Sequence, residues 1–187
     1  MVRNTDNFDY NLDYYHGFGK YYFNYILKTI ISIGNINQEP GLILDYGCGF
    51  SHLKQLSKNK KNIIGYDIIP KLSEVDDYRK LKPSKIVISA VLEHLYLNEI
   101  ENLLQDFLRM NPEAILLVSL PTENIISKLM MFFAGMSNAH DDHVSKYDDI
   151  NGVIEKYYKP AIRKYLFFKM SQVTMYIPLK NINNVTN

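Results

Sequence analysis

The chain has 187 residues, the size of one ordinary domain, and 47% of them are apolar, enough to bury a core. Lys and Arg number 21 against 20 Asp and Glu, so the net charge of +1 gives no pointer to a polyanionic partner. The single cysteine excludes an internal disulfide framework and fits a reducing compartment, which sets the expectation of a cytoplasmic protein.

The opening residues are polar and acidic, unlike a signal peptide, and residues 1–17 read as an arm or lid without a clear period. From residue 18 to 33, Phe18, Tyr21, Tyr22, Tyr25, Ile26, Ile30 and Ile33 recur every three or four positions, which predicts a helix. Glu39-Pro40-Gly41 ends any regular element. Residues 42–45 form a short apolar run, predicted as a buried strand, and Gly47 to Gly49 make a tight turn. A helix is predicted over 52–57, a second strand over 62–67 and a third over 86–89. Residues 98–110 place Ile100, Leu103, Leu104, Phe107 and Leu108 on one helical face, with Asn98 and Glu101 spaced as a capping box. A fourth strand follows over 114–119. Two extended runs, 165–170 and 173–178, lie too close together for a crossover and predict an antiparallel hairpin. The apolar stretches 114–121 and 128–136 are too short to span a bilayer.

Apolar strands alternating with helices imply a mostly parallel sheet covered on both faces, joined by right-handed crossovers. In such a sheet ligands sit outside the carboxyl ends of the strands. Asp45, Gly47 and Gly49 fall at one such end and Asp67 at the next, where a carboxylate can accept both hydroxyls of a ribose. Asp76 and Asp77 lie just before the third strand, within reach of an adenine amino group. The turn lacks the third glycine of a dinucleotide fingerprint, with Ser51 near that place, and Asp45 would repel a pyrophosphate. An acidic group there favours a ligand carrying an ammonium.

The runs ILDYGCGFSHL, IIGYDI and IVISAVLEHL, between Leu42 and Pro121, resemble class I S-adenosylmethionine-dependent methyltransferases of the type 11-like group. The resemblance implies a three-layer α/β sandwich around a seven-stranded, mostly parallel sheet of order 3-2-1-4-5-7-6, closed by a C-terminal antiparallel hairpin. It implies S-adenosyl-L-methionine as cofactor. Asp45, Gly47 and Gly49 would surround its methionine part, Asp67 its ribose and Ile68 its adenine. Asp76 or Asp77 would read the adenine amino group, and Ser89, Ala90 and Val91 would form the loop beneath the sulfonium, followed by the pair Glu93-His94. Only residues 68–85 separate the second and third strands, which leaves little room for the usual crossover helix.

The whole chain, 1–187, reads as one methyltransferase domain with a substrate-facing helical region over 122–160. Histidine is the natural base near neutral pH, and the candidates are His94, His140 and His143, the last two spaced to share a helical face. His52 reads as a surface or packing residue. No metal site is expected, since His140 and His143 lack further ligands at a suitable spacing. The expected acceptor is a small molecule, a lipid or a glycan, methylated on oxygen or nitrogen. The apolar run 127–136 leaves peripheral membrane contact open, and nucleic acid ranks low because no basic stripe interleaved with aromatics stands out. Two rival readings are a cofactor-binding partner or scaffold without catalysis, and a nicotinamide-dependent oxidoreductase.

Overall fold

The computed structural model describes residues 17–122 and 144–179. The chain runs α1 (Gly17–Ile33), β1 (Ile43–Tyr46), α2 (His52–Leu56), β2 (Ile63–Tyr66), β3 (Lys85–Ser89), α3 (Leu97–Met110), β4 (Ile115–Pro121), α4 (Tyr147–Glu155), β5 (Tyr158–Leu166) and β6 (Ser171–Pro178). The strands form one sheet of order β2-β1-β3-β4-β6-β5. The first four run parallel, and β6 is antiparallel to both β4 and β5.

The strands are apolar on both sides because both sides are covered. Successive side chains point to opposite faces of a strand. Leu44, Ile86, Ile88, Leu116 and Val118 therefore pack against α3 and α4, together with Phe107 and Ile154. Ile43, Val87 and Leu117 pack on the other side with Ile26, Leu27, Ile30 and Ile31 of α1. Each such side chain contributes roughly 1.5–3 kcal/mol of transfer free energy when fully buried.

The expectation of a seven-stranded sheet of order 3-2-1-4-5-7-6 is not met: among the described residues the sheet has six strands, and β2 is its edge. Residues 68–84 supply neither the extra strand nor a crossover helix, only a single 3₁₀ turn at Tyr78–Lys80. Two local devices replace them. At the open edge of β2, Glu74 N–H donates to Gly65 O (2.9 Å) and Asp67 N–H to Ser73 Oγ (3.2 Å). On the adjoining face, Tyr78 packs its ring on Tyr46 (5.1 Å), Tyr66 (4.8 Å) and Phe107 (6.1 Å) and donates its hydroxyl to Asp106. One aromatic side chain thus fills space that a helix would otherwise occupy.

Two further expectations shift. The first hairpin strand is not 165–170 but Tyr158–Leu166; Phe167, Phe168 and Lys169 all adopt left-handed backbone and form the turn. Helix α3 begins at Leu97, and Glu99, not Glu101, reaches back to accept from Tyr96 N–H (2.8 Å). Within the region 122–160, the described residues hold α4 and the first residues of β5. The candidates His140 and His143 and the arm before residue 17 lie outside the described residues. No helix among the described residues is long and apolar enough to cross a membrane.

At the amino ends of the strands, Lys85 is buried with its ammonium on Gly34 O (2.6 Å) and Glu39 Oε2 (2.6 Å). Glu39 also accepts from Gly41 N–H and Ser84 Oγ–H, which ties the end of α1 to the starts of β1 and β3. Burial alone would raise the Glu39 pKa, but these donors hold it below its ordinary value. Breaking a buried pair leaves an uncompensated charge. Lys85→Ala should therefore lower unfolding free energy by about 3–5 kcal/mol in urea titrations, whereas exposed Lys82→Ala should cost under about 0.5 kcal/mol. Equal, small losses for both would contradict this role.

Candidate functional site

The carboxyl ends of β1, β2 and β3 meet in register, Asp45 opposite Gly65 and Val87. The turn after β1 is fastened to the end of β2. Gly47 N–H (2.8 Å) and Cys48 N–H (3.0 Å) both donate to Tyr66 O, and Gly49 N–H donates to Asp67 Oδ2 (2.9 Å). Asp67 Oδ1 accepts from Ile69 N–H (3.0 Å), so both carboxylate oxygens are oriented by backbone donors. Ile68 stands between them in sequence and is 81% exposed, a large apolar side chain turned to solvent.

Two glycines make the turn feasible. Gly47 has φ +74°, and a Cβ there would collide with Val91 Cγ2; Gly49 has φ +49° and open space where its Cβ would lie. Gly47 thus serves close packing between two loops, and Gly49 leaves room for a ligand to approach backbone. Ser51 continues with φ +57°, so the place that lacks a third glycine still has left-handed backbone. Ala90 is left-handed as well (φ +55°), and it swings the loop after β3 back over the turn.

Asp45 lies beneath, only 5% exposed. Burial first, then the nearby charges of Asp67 and Glu74, push its carboxyl up to about 7. A buried acid near two others holds a proton until a cation compensates it. Cys48 shares this corner: burial and then Asp45 push its thiol up to about 12, and its S–H points at Leu72 O (3.4 Å), so it acts as a small packing group and not as a nucleophile.

A cleft opens in front of the turn, lined by Phe23 and Leu27 of α1, Asp45, Gly47, Cys48, His52, Leu53, Ser89 and Ala90. Its enclosed space is about 40 Å³, room for a few waters. Ser89 shares a hydrogen bond with Ser119 (2.8 Å), which joins the ends of β3 and β4.

The structure brings Asp45, Gly47, Gly49, Asp67, Ile68, Ser89 and Val91 to one end of the sheet. It engages Asp77 elsewhere: its Oδ1 accepts from Arg79 N–H (3.1 Å) and pairs with Arg79 Nε (2.8 Å), while Asp76 is solvent-exposed. His94 ends a 3₁₀ turn and is exposed, whereas its neighbour Glu93 is 3% exposed. One residue that the sequence assigns to surface or packing duty stands at the site. His52, half-buried, lines the cleft; burial and then Lys20 hold its pKa below the ordinary histidine value. Its spacing from Gly49 was the available signal. Behind the cleft wall, on the same helix as Phe23, Tyr22 hydrogen-bonds Ser171; burial pushes its phenol up against that bond, and the charge of Glu93 adds to the push.

Two outcomes are expected. Gly47→Ala should destabilise the fold by about 2 kcal/mol or more, against about 1 kcal/mol for Gly49→Ala, in chemical denaturation; the reverse order would refute the packing role of Gly47. Between the ordinary Asp value and about 7, folded Asp45 holds a proton that the unfolded chain has lost, so its contribution to stability falls as pH rises. The unfolding free energy of Asp45→Asn should therefore fall less than wild type between pH 4 and 7, by on the order of 2–4 kcal/mol. Parallel pH profiles would contradict the raised value.

No protein-family model matches the chain, and no curated protein matches it in sequence. Solved structures do match in shape. The PH0226 protein of Pyrococcus horikoshii OT3 superposes with a TM-score of 0.66 at 12% identity, covering 88% of this chain and 94% of that one. The magnesium protoporphyrin IX methyltransferase of Synechocystis PCC 6803, solved with bound SAH, gives 0.58 at 16% identity over 89% and 97% of the two chains. The N-methyltransferase NodS of Bradyrhizobium japonicum WM9 gives 0.59 at 9% identity over 84% and 96%. At these identities the likeness is one of architecture: the chain has the fold of these proteins, two of which are methyltransferases.

Proposed function

We propose that the protein is an S-adenosylmethionine-dependent methyltransferase acting on a small-molecule, lipid or glycan acceptor. The observation that carries this reading is Asp67, held by Gly49 N–H at the end of β2, beside an exposed Ile68 and above the buried acid Asp45. Those three residue types suit a ribose, an adenine face and an ammonium in that order. A pyrophosphate suits them poorly, because it adds further negative charge beside Asp45, Asp67 and Glu74. The fold shared with the methyltransferases above supports the same reading.

When bound, the cofactor supplies an electrophilic methyl carbon on a sulfonium. The remaining work belongs to the chain. Asp67 accepts hydroxyl hydrogen bonds from a preset orientation, so little freedom is lost on binding. Ile68 offers apolar area to a flat base. Exposed Asp76 is the candidate to read the adenine amino group, since Asp77 is committed to Arg79. Asp45 gives up its proton when an ammonium arrives and then holds the opposite charge. Ser89, Ala90 and Val91 close the floor of the cleft against Gly47. For an acceptor hydroxyl or amine, His52, which lines the cleft, and exposed His94 are candidates to take the proton. His140 and His143 are further candidates for that step.

Calorimetric titration with S-adenosylhomocysteine tests this. Wild type should bind in the micromolar range, and Asp67→Asn should weaken binding roughly 10- to 100-fold. A folded wild type that does not bind would overturn the reading. Binding without methyl transfer to any small-molecule, lipid or glycan acceptor would instead favour a non-catalytic cofactor-binding role.

A further inference from the structure

The near-zero net charge conceals a strong asymmetry. All 20 acidic residues lie at or before Glu155, together with 15 of the Lys and Arg; the remaining 32 residues carry six Lys and Arg and no acid. Five of those six cations, Lys156, Lys159, Arg163, Lys164 and Lys169, lie on β5 and the turns beside it, all exposed. Arg163 pairs with Glu155 and Lys156 with Glu101, while Lys159 and Lys164 have no ion pair among the described residues. Strand β5 is an edge strand exposed along all of its interior residues.

Aromatic side chains adjoin this charge. The β5–β6 turn holds three successive left-handed residues, Phe167 (φ 50°), Phe168 (φ 54°) and Lys169 (φ 65°), each strained for a residue with a side chain. Phe167 is tucked against Tyr22 (4.7 Å) and Tyr25 (5.2 Å) of α1, whereas Phe168 is 83% exposed. Tyr165 and Tyr25 are also exposed, Tyr21 is 77% exposed one helical turn before Tyr25, and Lys169 Nζ sits 5.7 Å over the Tyr165 ring. Because β5 runs in the direction of β4, this turn lies at the carboxyl end of the sheet. Thr122 N–H, just past β4, donates to Met170 O (3.0 Å). The same α1 that contacts the turn lines the cleft through Phe23 and Leu27.

We propose that this cationic, aromatic rim docks the protein on an anionic lipid surface. The docking stands on charge and geometry alone; that it delivers a lipid-borne acceptor to the cleft rests on the methyl-transfer reading above. Three observations narrow the occupant. A second copy would bring like charges together, and Pro160 with the bulge beside it spoils edge-to-edge strand pairing. A single strand of nucleic acid needs a groove to track its backbone, whereas Phe168 projects from a convex turn. Aromatic rings at the level of lipid headgroups, flanked by lysines that reach phosphate, match what the rim presents.

The test uses the full chain with vesicles of phosphatidylcholine, alone or mixed with phosphatidylglycerol. The protein should sediment with the mixed vesicles and not with the neutral ones. Lys164→Glu with Lys169→Glu, the two lysines nearest the turn, should weaken that binding roughly tenfold or more. The chain has no tryptophan, so Phe168→Trp reports from the turn alone, and its emission should shift to the blue on the mixed vesicles. The charge-reversed variant should keep wild-type affinity for S-adenosylhomocysteine, which separates lost docking from lost folding. Vesicle binding by a wild type that ignores S-adenosylhomocysteine would leave the docking surface standing and remove the cofactor reading. Absent vesicle binding, or binding to a single-stranded oligonucleotide in its place with the same charge dependence, would overturn the proposal.

Discussion

The attachment of the β1 turn to the end of β2 is the constraint on which the site depends. Three successive backbone N–H groups, from Gly47 to Gly49, are taken up by Tyr66 O and the Asp67 carboxylate. With those donors satisfied, the turn can be tight and still lie at a buried strand end, where orphaned N–H groups would be costly. The same bonds fix Asp67 in place and seal Asp45 beneath. The electrostatics follow from that geometry: Asp45 is driven toward its neutral form because the turn removes water from it and sets Asp67 nearby.

The rest of the fold holds this corner still with few parts. Four parallel strands are enough to set three carboxyl ends side by side, and α1 and α3 cover the two faces. Where a larger sheet would add a strand and a helix, this chain uses Glu74 on the edge of β2 and Tyr78 against Tyr46, Tyr66 and Phe107. Glu74 is itself held by Lys54 of α2 (2.6 Å), so the edge is braced from the helix that follows the turn. At the opposite ends of the strands, the buried Lys85–Glu39 pair joins the same elements. Among the described residues no strand or helix stands beyond β2.

Much of this was legible in the residues, and the exceptions have physical causes. The strands at Ile43, Ile63, Lys85 and Ile115 announced themselves as apolar runs, because a parallel sheet buried on both faces permits no polar alternation. The turn was legible because Gly47 and Gly49 meet conformational needs that few residues satisfy. The shortage of residues over 68–85 made the missing crossover helix legible but not the missing strand, since sequence reports length more clearly than what replaces an element. The hairpin was displaced because Phe167 and Phe168 look like strand residues, and their left-handed backbone is imposed by packing on α1. Lys159 and Pro160 fall within the region that reads as helical and Arg163 in no element, yet an edge strand tolerates them. The place of His52 in the cleft shows in the sequence only as its spacing from Gly49, and the burial of Glu93 depends on contacts across the fold for which it carries no local signal.

The central claim is that Asp45 is a protonated acid waiting for a positively charged group. Proton exchange on binding S-adenosylhomocysteine, measured by calorimetry near pH 6 in buffers of different ionisation enthalpy, tests it most directly. The account predicts release of close to one proton by the wild type and none by Asp45→Asn. Binding without proton release in the wild type would contradict it.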